Sequence, residues 1–78
     1  MTLEIITPEK TIFNGKVSLV QLPGSSGSFE ILNNHAPLVA SLKKGSIKIK
    51  DLDNKVTFIE INGGTVQVED NKILVLAD

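Results

Sequence analysis

The side chains with potential for chemistry are few and scattered along this 78-residue chain. His35 is the single histidine, and Ser25 and Ser26 form an adjacent pair of hydroxyls before it, within the stretch GSSG. A histidine base needs a nucleophile, and usually an orienting acid, within hydrogen-bond reach. The stretch GSSG is not a G-x-S-x-G nucleophile elbow. We therefore predict no catalytic residue, although a small hydrolase using His35 and a nearby serine is one hypothesis to be tested.

Metal and phosphate sites have equally little support. His35 has no second histidine as a companion ligand, and the chain contains no cysteine. Acids such as Asp51 and Asp53 border turns, where short polar side chains commonly close the backbone. Neither a lysine nor a helix start follows Gly63-Gly64, so the pair does not make a phosphate loop. We predict no metal and no cofactor.

The composition argues against two classes of partner. Eight lysines and nine acids give a net charge of −1, and the absence of arginine removes the fork that binds phosphate or guanine. The three aromatic residues, Phe13, Phe29 and Phe58, lie in strand-like patterns and are expected in the core. We therefore expect no nucleic acid. No apolar run approaches the roughly 18 residues that cross a bilayer, so we expect no direct membrane insertion.

Short alternating runs separated by turn signals are typical of an all-β sandwich or barrel, here a single domain over residues 1–78. Asn14-Gly15 is a strong two-residue hairpin signal, so a turn is predicted there. The small residues 23–28 predict a loop. Residues 47–50 and 56–61 predict a hairpin with one buried face, and lysines on its exposed side are expected to discourage edge-to-edge pairing.

Two segments depart from the simple alternating pattern. Residues 72–76 carry apolar side chains at the consecutive positions 73–76, which predicts a strand covered on both faces. Residues 37–45 begin with proline, carry lysines near the end and finish with glycine, as a short helix would. The local pattern leaves helix and strand both open for that segment.

Four stretches, taken in order, resemble one known family: IFNGKV, LPGSSGSFEIL, NHAPLVASLKKGSIKI and FIEINGGTVQVEDNKILVLAD. Together they are similar to the amino-terminal domain of the epsilon subunit of rotary ATP synthases, from about Ile6 to Asp78. The resemblance implies a flattened antiparallel β-sandwich of two sheets with little or no helix. It also implies that PLVASLK is a strand.

The resemblance implies a mechanical role. Epsilon subunits are non-catalytic rotor subunits of the central stalk, bound to the gamma subunit and to the membrane c ring of a hetero-oligomeric complex. They help to couple the flow of protons or sodium ions to ATP synthesis. The implied location is the cytoplasmic face of the bacterial inner membrane, held there by the complex. Family members commonly continue past VLAD into a helical hairpin, which this sequence is expected to lack.

The resemblance also supplies candidate residues for the partner interface, in two loops expected near the rotor end of the sandwich. Pro37 fixes its own φ and pushes Ala36 toward an extended conformation, so that loop is pre-shaped for docking. The family often has an acid in place of Ser28 and glycine in place of Glu30. A stand-alone β-sandwich module that binds a protein or carbohydrate is the alternative, although the chain lacks tryptophan and tyrosine for stacking sugars. The interface candidates are Gly27, Ser28, Phe29, Asn34, His35, Ala36 and Pro37.

Overall fold

The computed structural model describes residues 1–78, and its regular structure consists of eight β-strands with no helix. The predicted all-β fold is therefore confirmed. The strands are β1 (Thr2–Ile6), β2 (Thr11–Gly24), β3 (Gly27–Leu32), β4 (Leu38–Leu42), β5 (Gly45–Asp51), β6 (Val56–Ile61), β7 (Gly64–Glu69) and β8 (Lys72–Ala77).

The long strand β2 joins the two layers of a sandwich. Its first half pairs with β1, which continues the order β1-β8-β7-β4 of the first layer. Its second half pairs with β3 on one side and with β5 on the other, and β6 completes this second layer. All pairings are antiparallel except that between β1 and β8. The prediction of a flattened sandwich is confirmed.

A β-bulge lies where β2 passes between the layers. The register with β5 shifts between Val17 and Leu19. The Ser18 hydroxyl lies 3.2 Å from the carbonyl oxygen of Lys50 and 3.1 Å from that of Asp51, so it donates to these acceptors at the bulge. Because an extra residue bends a strand and increases its twist, this bulge re-aims β2 from one layer to the other.

The core lies between the layers and is entirely aliphatic. Alternate residues of each strand point inward, and no polar or charged residue is buried. Fifteen buried hydrophobic residues form one cluster, and every strand contributes to it. Examples in strand order are Leu3, Val20, Ile31, Leu42, Ile49, Ile61, Val66 and Val75.

The hairpin predicted at Asn14-Gly15 was wrong, because both residues lie inside β2, opposite Glu4 and Leu3. The chain reverses earlier, between β1 and β2, where the Thr7 amide donates to the Lys10 carbonyl at 2.8 Å. A turn at Asn14 would have removed the β1 pairing that holds buried Leu3 in register. Long-range pairing therefore overrides the local turn signal here.

The loop predicted over residues 23–28 is shorter than expected. Strand β2 extends through Gly24 and β3 begins at Gly27, so only Ser25 and Ser26 connect them. Gly27 has a φ of 130°, which a side chain would disfavour. A tight hairpin replaces the expected flexible segment.

Strand β4 resolves the ambiguity of residues 37–45. Leu38 to Leu42 pair along their whole length with β7, and Leu42 is buried while Val39 and Ser41 face outward. The strand implied by the resemblance is confirmed. Pairing with β7 holds this segment as a strand, in which side chains alternate between the inward and outward faces. This pairing outweighs the local helix signals, because those signals alone bury no side chain.

The prediction that β8 is covered on both faces was wrong. Ile73, Val75 and Ala77 face the core, whereas Leu74 is half-buried and Leu76 is 44% exposed on the outer surface. The outer surface of the first layer is therefore apolar and open at β8.

Candidate functional site

The two predicted interface segments lie at opposite ends of one strand. Gly27 and Ser28 begin β3, and residues 34–37 follow its last residue, Leu32. Six strand residues separate the two ends by roughly 17 Å, at about 3.4 Å per residue. The structure does not bring the seven candidates together into one patch at one end of the sandwich.

At the first end, Phe29 helps to line a groove between β3 and β4. We call this the serine groove; its volume is about 340 Å³ and it is lined by Gly24, Ser25, Ser26, Gly27, Phe29, Ala40 and Ser41.

Close backbone packing shapes the serine groove. A Cβ atom on Gly24 would lie 2.5 Å from the Gly27 carbonyl oxygen and 2.7 Å from the Phe29 ring, so only glycine fits at Gly24. The Ser41 hydroxyl donates to the Ser25 hydroxyl at 2.9 Å, and the Ser25 amide donates to the Ser41 carbonyl at 3.0 Å. The hairpin tip is thereby tied to β4.

At the second end, the loop of residues 33–37 is braced by hydrogen bonds to distant parts of the chain. The Asn34 amide donates to Oδ1 of Asn71 at 2.8 Å, and Asn33 Oδ1 accepts a 3.0 Å hydrogen bond from the Met1 ammonium. The His35 amide donates to the Leu32 carbonyl at 3.2 Å. We call residues 33–37 the histidine loop; these hydrogen bonds hold its first three residues.

The His35 side chain is half-buried, and its Nδ1 lies 2.7 Å from the Ala36 carbonyl oxygen. A carbonyl oxygen only accepts, so the ring donates from Nδ1. Ser25 and Ser26 lie at the other end of β3, out of reach of this ring. No three acidic or histidine side chains converge as a metal site. His35 therefore has no serine of the GSSG stretch within reach to deprotonate.

Seven large apolar side chains are exposed, and the two most exposed, Val39 and Phe58, lie outside the predicted set. Val39 follows the histidine loop and is 75% exposed on the outer face of β4. Phe58 is 64% exposed on the outer face of β6, so the expectation that all three phenylalanines lie in the core was wrong for this one. Phe13 and Phe29 are half-buried against the core. The residue type of Phe58 does not indicate that it is exposed. Its position does, because it lies three residues before buried Ile61 in an alternating strand and so falls on the opposite face.

No helix in the structure has the length and apolarity needed to cross a membrane.

Comparisons with known proteins all identify the same family. The family model described as the β-sandwich domain of the ATP synthase delta/epsilon chain matches residues 1–78. The ATP synthase epsilon chain of Campylobacter concisus is 47% identical over 76 residues, which cover 97% of this chain and 59% of that one. The epsilon chain of Chlorobaculum tepidum is 39% identical over 77 residues, covering 99% of this chain and 88% of that one. The chain thus spans about three fifths of the Campylobacter relatives it matches, and most of the Chlorobaculum relative.

Solved structures show the same fold. A chain of the Tetrahymena thermophila mitochondrial ATP synthase, in a structure of its central stalk and c ring, superposes with a TM-score of 0.82 at 24% identity, covering 99% of this chain and 62% of that one. A chain of the Euglena gracilis mitochondrial ATP synthase superposes with a TM-score of 0.90 at 19% identity, covering 96% and 48%.

Proposed function

The chain belongs to the delta/epsilon chain family of ATP synthases, as its β-sandwich domain, and we propose that it is a non-catalytic subunit of the central stalk. In this role it links the gamma subunit to the c ring and helps to couple proton or sodium flow to ATP synthesis. The observation that carries the proposal is that the family match extends over every residue of the chain.

Two features of the structure support a linking role. A domain that bridges two neighbours needs two separate contact surfaces, and the histidine loop and the tip of the serine groove lie at opposite ends of β3. Both are held in shape by hydrogen bonds, so little conformational entropy remains to be lost on docking. We propose that each end contacts a different neighbour, with Gly27, Ser28 and Phe29 at one and residues 34–37 at the other.

The structural relatives support the same assembly, since the Tetrahymena structure is described as central stalk and c ring. For this chain, the curated relatives are bacterial. We therefore propose a peripheral position on the cytoplasmic face of the bacterial inner membrane, maintained by the complex.

The decisive experiment is reconstitution of the ATP synthase in vesicles with and without this subunit. Without it, ATP hydrolysis by the catalytic head should continue while ATP-driven ion pumping, followed by a pH- or sodium-sensitive dye, falls. Pumping that is unchanged per ATP hydrolysed would contradict the proposal. Turnover of ATP by the isolated chain would contradict its non-catalytic part.

A further inference from the structure

The chain contains two Asn-Gly pairs, Asn14-Gly15 and Asn62-Gly63. Asparagine before glycine is prone to lose its side-chain amide, because the next backbone nitrogen attacks the side-chain carbonyl carbon within the same molecule. Glycine favours this attack, since it has no Cβ atom in the way and its backbone rotates freely. The attack also requires a backbone N–H that is not held in a hydrogen bond, and the two pairs differ in this respect.

Gly15 is held in a strand pair. The Val17 amide donates to the Met1 carbonyl at 2.9 Å, and the Met1 ammonium donates to the Val17 carbonyl at 3.2 Å. Bonded pairs alternate along an antiparallel ladder, so Leu3 and Gly15 form the next bonded pair between β1 and β2. The Gly15 N–H therefore donates to β1, and its nitrogen reaches the Asn14 side chain only after the two strands separate.

Gly63 lies outside every strand. It follows Asn62 in the two-residue connection between β6 and β7, where the chain crosses from the second layer to the first. The Gly63 carbonyl accepts a 3.0 Å hydrogen bond from the Asp78 amide, but no protein group accepts one from the Gly63 N–H. The Asn62 side chain is exposed and makes no hydrogen bond to the protein. Although Gly63 is buried, rotation of its N–H toward Asn62 therefore breaks no hydrogen bond.

We propose that Asn62 is a site of spontaneous deamidation in the folded chain, and that Asn14 is protected from it. The Gly63 nitrogen gives up its proton to hydroxide and bonds to Cγ of Asn62. The bond from Cγ to the side-chain nitrogen breaks, and that nitrogen takes a proton from water and leaves as ammonia. Water then opens the five-membered succinimide at either of its carbonyl carbons, which gives aspartate or isoaspartate. The net reaction consumes one water and releases one ammonia, with no oxidation or reduction.

Each product changes the crossing between the layers. Both add a carboxylate next to Gly63, where the Asp78 carboxylate already lies, since a Cβ atom on Gly63 would be 3.0 Å from Asp78 Oδ2. Like charges at short range repel each other. Isoaspartate also adds one methylene to the backbone of the connection, whereas Gly64 beyond it is fixed by pairing with Leu42 and Ala77. We therefore expect deamidation to loosen the hydrogen bond from the Asp78 amide to the Gly63 carbonyl.

The test is incubation of the purified folded chain at mildly alkaline pH over days, followed by mass spectrometry of proteolytic fragments. Loss of the amide raises the fragment mass, and a carboxyl methyltransferase specific for isoaspartate labels one of the two products. Asn14 is the matched control within the same molecule. It should deamidate more than about tenfold more slowly than Asn62, because its strands must first open. In concentrated urea the two rates should agree within about threefold, because neither N–H is then held in a ladder.

A variant and a second measurement complete the test. Asn62→Gln keeps an exposed amide but requires a larger ring, and should leave this fragment unmodified over the same period. The Asp78 amide should exchange its hydrogen faster in the deamidated chain than in the unmodified one, and at an unchanged rate in the incubated Asn62→Gln variant.

The proposal is overturned if Asn62 does not react in the folded chain, or if Asn14 reacts as fast. A difference between the two pairs that persists in urea would also overturn it, by assigning the selectivity to the neighbouring sequence. An unchanged Asp78 amide in fully deamidated chain would overturn the effect on the crossing. Since the isolated chain is measured, none of these results depends on the proposed function.

Discussion

Asn34 and Asn71 meet through a 2.8 Å hydrogen bond, although they are far apart in sequence and both have left-handed backbones, with φ values of 62° and 61°. Asn71 occupies the turn between β7 and β8, and Asn34 is the second residue of the histidine loop. Asparagine tolerates this conformation better than other side-chain-bearing residues. The contact fixes the position of the histidine loop relative to the first layer.

Replacement of Asn71 should separate the two roles of this residue. Asn71→Gly keeps the backbone conformation but removes the acceptor, and should lower the free energy of unfolding by about 1 kcal/mol. Asn71→Ala also strains the turn and should cost about 1 kcal/mol more. Urea unfolding measures both values. The Asn34 amide should exchange faster in each variant; equal stability of the two would show that the backbone conformation contributes nothing.

The two glycines of β2 should respond oppositely to alanine. Gly24→Ala places a Cβ atom 2.5 Å from the Gly27 carbonyl oxygen and should destabilise the fold by more than about 2 kcal/mol. Gly15→Ala is the matched control, because its Cβ atom would lie 3.6 Å from the Phe13 ring. Removing a flexible glycine from a strand should stabilise by about 0.5 kcal/mol. A severe loss at Gly15, measured by urea unfolding, would argue for the turn that the sequence predicted there.

The Ser18 hydroxyl should stabilise the bulge. Ser18→Ala leaves the carbonyls of Lys50 and Asp51 without this donor and should cost about 1 kcal/mol of unfolding free energy. Ser26→Ala, at the exposed hairpin tip, should have no measurable effect. Thermal unfolding of the two variants in parallel gives the comparison, and identical melting temperatures would remove Ser18 from this role.

The two ends of β3 should act independently in partner binding. His35→Ala should weaken binding to one neighbour, and Ser28→Lys binding to the other, with little cross-effect because roughly 17 Å separates the ends. Isothermal titration against the gamma subunit and, separately, against purified c ring measures both. If either variant weakened both interactions equally, the two ends would not be separate surfaces.

Alternation of apolar residues predicted the strands well, because burial on one face of a sheet requires a period of two. It correctly indicated the hairpin of β5 and β6. The Asn14-Gly15 prediction failed since β1 offers that segment a long-range partner, a contact that no local window contains. Phe58 was predicted in the core because aromatic residues usually lie there; its alternation with buried Ile61 and its register against Lys48 place it on the outer face.

The candidate site was harder to predict than the fold. The resemblance selected the seven residues. Their division between two ends follows from the course of β3, and the short distance in sequence does not reveal it. Phe29 and Asn34, for example, are close in the chain yet lie toward different ends of the strand. The braces Asn71 and Ser41 were missed altogether. Their roles depend on turns brought together by the topology, and nothing in their local patterns marks them.

Because β2 is one uninterrupted backbone shared by both layers, neither layer can be peeled away while the other stays intact. Shear applied across the sandwich is carried by covalent bonds through Ser18 as well as by packing. A single molecule stretched between its ends should therefore rupture in one step, with no half-unfolded plateau, and below that force it should behave as a stiff spacer.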